Sequence, residues 1–229
     1  MKRKQEFESD ASDSSFGLSI GDLMASLLLL FVLLLAATLL NLQNQYDDQL
    51  EVAAQYTEVK SKIYDELHLT FKDSLSSWQA EIDSTELVVR FTEPGMLFDN
   101  NQSNLKPEFK KILADFFPRY INVLNKSEFR DNIEEIRIEG HTDSNGDYFY
   151  NMKLSQDRTR STLEYSMQQL SPDMEHNWVQ KRITANGLSS SKPILYKDGS
   201  ENKQASRRVE FRIRTNAERQ IERILKFGE

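Results

Sequence analysis

The densest cluster of polar, chemistry-bearing residues is the stretch EGHTDSNGDYFYNMKLSQDR, residues 139–158. It reads as the end of a strand, a Gly/Asn turn and the start of a helix, and such strand-end loops are where binding groups collect. Asp143 lies just past the strand and Arg158 about one turn into the helix. A short loop folding back brings carboxylate and guanidinium to one pocket. Together they suit a zwitterion, because Asp143 accepts from an ammonium while Arg158 offers a carboxylate two parallel donors. Spacing by itself favours a plain structural salt bridge between the two.

A second acid stands in an unusual place. Asp22 precedes the block Leu23 to Leu40, which carries no charge and spans roughly 27 Å as a helix at about 1.5 Å per residue. Phe16, Leu18 and Ile20 keep the chain apolar ahead of it. Ser19 and Ser26, three before and four after, share its helical face. Asp is a favoured helix cap, and near a membrane surface that explains it. An acid inside the membrane instead marks an ion or proton path facing a protein partner.

These groups need elements to hold them. Residues 1–15 are polar and mixed in charge, and read as a cytoplasmic tail; residues 16–41 read as a single transmembrane helix. The block is too long for a cleaved signal peptide. Lys2, Arg3 and Lys4 before it, with no Lys or Arg from Asn41 to Val59, place the amino terminus inside and the rest outside the inner membrane. Residues 42–82 form a helical connector, with Val59, Ile63, Leu67, Phe71, Leu75, Trp78 and Ile82 at spacings of three or four. They suit either packing on the chain's own domain or a stalk and dimer contact.

A soluble domain follows over 83–216. ELVVRF alternates as a half-buried strand and Pro94-Gly95 turns the chain. Pro107 to Leu124 is a helix that Pro118 kinks or splits. IEEIRIEG is a strand, Leu154 to Leu170 a helix with Ser155 as its cap, and RITANG and RRVEFRI are strands. That order predicts an α/β fold, an α+β two-layer sandwich with helices on one face of a small mixed sheet. Residues 217–229 are expected to be a helical tail.

Composition excludes several classes. The net charge is -7 and there is no cysteine, which removes disulfides, thiolate metal sites and a basic nucleic-acid surface. His68, His141 and His176 are too scattered for a metal site, and there is no phosphate-cradling loop or activated nucleophile. No cofactor, metal or catalytic activity is expected.

GHTDSNGDYFYNMKLSQDRTRS with SRRVEFRI downstream resembles the OmpA-like peptidoglycan-binding domain shared by OmpA, Pal and MotB. Gly140, His141, Thr142, Asp143, Gly146, Tyr150, Asn151, Leu154, Ser155 and Arg158 carry the likeness, with LFDNNQSNLKPE upstream and Gly187, Pro193, Arg207 and Arg208 downstream. It implies that Asp143 and Arg158 grip the diaminopimelate end of the peptidoglycan stem peptide, with Asn101, Thr142, Asn151 and Leu154 completing the pocket. Thr159 and Ser206 depart from the family pattern, which usually has a small residue and Asn there.

GDLMASLLLLFVLLL in turn resembles the start of the MotB transmembrane helix and puts Asp22 on the proton-carrying position, supported by Ser19 and Ser26. Both halves together are similar to MotB-type stator subunits. The compact chain, the acidic Ser/Asp-rich tail in place of a strongly basic one, and a connector that runs directly into the domain are more similar to the ZorB family of the Zorya anti-phage system than to flagellar MotB. That resemblance implies a homodimer inside a ring of five MotA-like ZorA subunits, driven by protons and signalling to cytoplasmic effectors. A flagellar stator subunit and a passive peptidoglycan anchor are the alternatives.

Overall fold

The computed structural model describes residues 2–92, 94–172, 174 and 176–216. Within the first helix the side chains are described from Gly21 onward, apart from residues 48, 52, 53, 55 and 56. The tail expected at 217–229 and the side chain of Ser19 lie outside the described residues. The chain divides into two compact units, Met1–Glu51 and Val52–Glu229.

Helix α1 runs Lys2–Phe71 and contributes to both units. The polar composition of residues 1–15 reads as a tail without regular structure, but the helix begins at Lys2. The first fifteen residues contain neither Pro nor Gly, so nothing in them stops it. From Leu23 to Leu35 its large apolar side chains are about half to two-thirds exposed, Leu23 at 71%. The helix is long and apolar enough there to cross a membrane.

In the second unit the end of α1 packs inward. Ile63, Leu67 and Phe71 are fully buried. The helix stops at Phe71, earlier than the periodicity to Ile82 implied, because the chain turns over 72–79 and then extends. Trp78 keeps its place in the core from that turn, while Ile82 sits in strand β1 (Ala80–Asp83). An apolar residue at helical spacing thus serves a strand, since period alone cannot exclude a turn between two buried positions.

The sheet has the order β1-β2-β5-β3-β4, with β2 at Val88–Phe91, β3 at Ile133–Gly140, β4 at Ile183–Gly187 and β5 at Val209–Thr215. Neighbours are antiparallel except β3 and β4, which run parallel and are joined through helix α4 (Tyr148–Gln168). Short helices α2 (Pro94–Leu97), α5 (His176–Gln180) and α6 (Lys203–Ser206) fill the connections. Helix α3 (Pro107–Leu124) stays unbroken through Pro118 and buries Phe109, Leu113, Phe116, Phe117 and Tyr120. Phe116 is its hub, with ring centroids 5.0 Å from Phe211, 5.2 Å from Phe91 and 5.3 Å from Phe71.

Alternation along the strands gives the sheet two faces. Val89, Phe91, Ile136, Ile138, Phe211 and Ile213 are buried in the core. Arg90, Glu135, Arg137, Glu139, Glu210 and Arg212 alternate with them and are knit by ion pairs.

Helix α4 meets the sheet differently. It begins at Tyr148 rather than Leu154, capped by Asp147 accepting from the N–H groups of Phe149 and Tyr150, with Ser155 mid-helix and buried. Its buried residues are small and polar: Asn151, Ser155, Thr159, Thr162 and Ser166. They let the helix backbone approach the sheet, and the sheet answers with glycines. A Cβ at Gly187 would lie 2.3 Å from the Gln156 nitrogen, and one at Gly140 2.9 Å from the Ser155 carbonyl oxygen. Gly187→Ala is therefore expected to cost about 1–3 kcal/mol, the usual range for overpacking against a fixed neighbour. Chemical denaturation followed by tryptophan fluorescence measures it, and an unchanged midpoint would show that α4 shifts freely.

Candidate functional site

The loop 141–147 leaves β3 and enters α4. Gly146 turns at φ +89°, a conformation costly for any side chain. Asn151 holds the loop from below, donating from Nδ2 to the Asn145 carbonyl at 2.8 Å and the Asp143 carbonyl at 3.4 Å. Thr142 is tied through its N–H to the Ser189 carbonyl at 2.9 Å, and its buried hydroxyl has no hydrogen-bond partner among the described residues.

A segment near the chain's end straps this loop residue by residue. Glu201 accepts from Ser144, Lys203 donates to Asn145 Oδ1 at 2.7 Å, and Arg207 pairs with Asp143 at 2.7 Å. Asp143 is 7% exposed and also accepts from the Asn145 N–H and side-chain amide. The Asp143–Arg158 salt bridge favoured by spacing is thus replaced by Asp143–Arg207, a link across the sheet that spacing cannot reveal.

Arg158 lies in the third turn of α4, not the first, because the helix starts six residues earlier than expected. Its Nε donates to the Gln102 carbonyl at 2.8 Å and Nη2 to the Asp99 carbonyl at 3.3 Å, with the guanidinium 4.9 Å from the centre of the Phe98 ring. No carboxylate lies within ion-pair distance of it among the described residues. Burial, with Arg207 nearby, lowers its pKa from the ordinary arginine value, against smaller opposing effects of Tyr150 and Asp143. Arginine remains charged at physiological pH, so this cation can attract an anion.

Two cavities flank this arginine. The larger, about 460 Å³, is lined by Arg158 and Arg207 with Phe98, Asp99 and Lys106 among others. The smaller, about 280 Å³, is lined by Asn101, Tyr150 and Leu154. Asn101 reaches it from a left-handed turn at φ +56°, which Asn tolerates better than most residues. The expected residues therefore divide. Arg158 faces one cavity, Asn101 and Leu154 the other, while Thr142, Asp143 and Asn151 build the loop beside them. Sequence reasoning named Arg207 only as part of the family likeness and gave it no place in the site, since the doubled arginine of SRRVEF does not say what it meets.

Behind the site lies a charged knot. Glu210 accepts from Arg208 at 2.6 Å and Arg90 at 2.7 Å, and Arg212 bonds Glu139 at 3.1 Å. His141 sits 3.8 Å from Glu139 Oε2 and 3.7 Å from Glu210 Oε2, outside hydrogen-bond reach, so both ring nitrogens stay unpartnered among the described residues. These three residues were not expected to cluster. Their ligand atoms lie within 4.8 Å of one another, but guanidinium groups already occupy the carboxylates, and a metal ion would have to displace them.

In the first unit, Asp22 lies inside α1 and not at its start, so it does not cap the helix. The Ser26 hydroxyl donates to the Asp22 backbone carbonyl at 2.8 Å rather than to the carboxylate.

The domain is of the OmpA-like class, preceded by a helix long enough to span a membrane: residues 97–208 match the OmpA family. The chain belongs to the ZorB family. It is 41% identical to a Zorya protein ZorB of Escherichia coli over 93% of either chain, and 27% identical to another from Escherichia coli O139:H28 over 90% of this chain and 82% of that one. A MotB-like protein of Desulfovibrio vulgaris has the same fold, with a TM-score of 0.50 and 24% identity over 72% of this chain and 94% of its own.

The buried imidazole gives the domain a pH dependence. Burial lowers the His141 pKa, the carboxylates opposing more weakly. The folded state then holds fewer protons than the unfolded chain, so its stability is full above about 6.5 and falls as pH drops below that value. Thermal unfolding of the wild type between about pH 6.5 and 5 is expected to lose up to ~1.4 kcal/mol per pH unit, and His141→Gln to flatten that slope. Equal slopes would place the titration elsewhere.

Proposed function

We propose that this protein is the MotB-like, wall-anchored subunit of an inner-membrane motor of the ZorA–ZorB type in anti-phage defence. Asp22 carries protons through a ring of MotA-like ZorA subunits, five around two copies of this chain. The amino terminus lies in the cytoplasm and the OmpA-like domain in the periplasm, bound to peptidoglycan. The role is coupling and binding rather than catalysis, with phage sensing passed to cytoplasmic effectors.

The observation that carries this reading is Asp22, the only charged residue from Ser14 to Tyr46, set inside a helix whose leucines are exposed. A charge among lipid tails costs roughly 2.5–3.5 kcal/mol at mid-membrane, so it is retained only where protein or water receives it. The wall-binding half is supported by Arg158, a partly buried cation facing a cavity and without a carboxylate partner among the described residues. Held to the wall, the subunit resists turning while each change of charge at Asp22 alters its fit to the surrounding ring.

Asp22→Asn is expected to abolish phage protection while membrane insertion and co-purification with the ring subunit persist. Full protection by that variant would leave only a passive anchor. For the periplasmic half, Asp143→Ala or Arg158→Ala should each weaken pulldown on purified peptidoglycan roughly tenfold or more. Unchanged binding by both would make these residues structural.

A further inference from the structure

Among the described residues the charges around the larger cavity do not balance when the wall-binding reading is taken at face value, and the inference below rests on that reading. Among the described residues four cations line the cavity: Lys106, Arg158, Arg207 and Arg208. Three have carboxylates: Lys106 pairs with Asp99 at 3.3 Å, Arg208 with Glu210 at 2.6 Å and Arg207 with Asp143 at 2.7 Å. Among the described residues Arg158 has carbonyl oxygens and the Phe98 ring as partners and no carboxylate.

Consider a ligand centre with one ammonium and one carboxylate. Its carboxylate satisfies Arg158, and its ammonium takes Asp143, which Arg207 now holds. Arg207 then loses its counter-ion. A simple zwitterion thus moves the unpaired cation from Arg158 to Arg207. A ligand with one further carboxylate removes the imbalance.

We infer that Arg207 is a second carboxylate-binding group, and that the domain selects an ammonium flanked by two carboxylates rather than a lone zwitterion. Arg207 is suited to the exchange. Its side chain is 41% exposed, it lines the same cavity as Arg158, and its guanidinium makes no protein hydrogen bond among the described residues beyond the one from Nη1 to Asp143. Turning from Asp143 to a ligand carboxylate exchanges one charge-assisted bond for another. In a peptidoglycan stem the second carboxylate is available from two places: the α-carboxylate of the glutamate or the carboxylate at the stem's free end.

The test uses the full chain in detergent and calorimetric titration with a synthetic Ala-γ-Glu-diaminopimelate stem peptide. Two further peptides carry an amide in place of the glutamate α-carboxylate or of the stem-end carboxylate. The wild type is expected to lose about tenfold in affinity for one amidated peptide, which identifies the carboxylate, and Arg207→Gln to bind that peptide and its parent within about twofold of each other. Arg207→Lys should keep part of the preference, since it retains charge without the two-donor fork. The inference is overturned if the wild type binds all three peptides alike, or if Arg207→Gln binds the parent peptide as tightly as the wild type or tighter, as expected of a residue that merely blocks Asp143. The wild-type comparison decides the matter even if the variants fold poorly. Binding of none of the peptides by the wild type would overturn the wall-binding reading and this inference together.

Discussion

The close seating of α4 on β3 and β4 governs the geometry of the OmpA-like domain. Two glycines on the sheet and a row of small polar residues on the helix bring backbone against backbone, where a single Cβ at Gly187 meets the Gln156 nitrogen at 2.3 Å. Protein interiors are packed densely enough that such a contact has little freedom to slide. The loop leaving β3 and the third turn of α4 are therefore held in fixed relation, and with them Asp143 and Arg158. The candidate binding pair is positioned by the glycines and small polar residues of this helix–sheet contact.

Charge is handled in two ways around that contact. In the knot, Arg90, Arg208 and Arg212 satisfy the buried carboxylates of Glu139 and Glu210. Glu210 is held far below the usual carboxylate range, its arginine and histidine neighbours outweighing burial. Such a network is rigid because removing any member leaves a partner uncompensated. The cavity beside it is different. Arg158 is fixed by carbonyls and an aromatic ring, which orient a cation without neutralising it. The first arrangement resists ligands and the second invites an anion.

Much of the architecture was legible in the residues. The apolar faces of α3 and of the connector were visible as spacings, and Ile136, Ile138 and Phe91 as alternation. What escaped was α4's true start: its inner face is Asn, Ser and Thr, so no apolar stripe announces the helix, and Asp147 rather than Ser155 caps it. Strand β1 escaped because Ile82 continued a helical spacing across a turn. The pairing of Asp143 with Arg207 escaped because the two are far apart in the chain and meet only when β5 lies beside β3.

The sequence by itself determined which groups are present and what local conformations they favour: one acid at the head of an apolar helix, and a carboxylate and guanidinium on either side of a strand-to-helix turn. Those follow from side-chain chemistry and from periodicity, which act over a few residues. Tertiary structure alone decided which charge neutralises which. Ion pairing depends on distances across strands and helices, and these are set by packing between segments remote in sequence. That is why Asp143 is matched to Arg207, and why Arg158 keeps a charge with no carboxylate partner among the described residues.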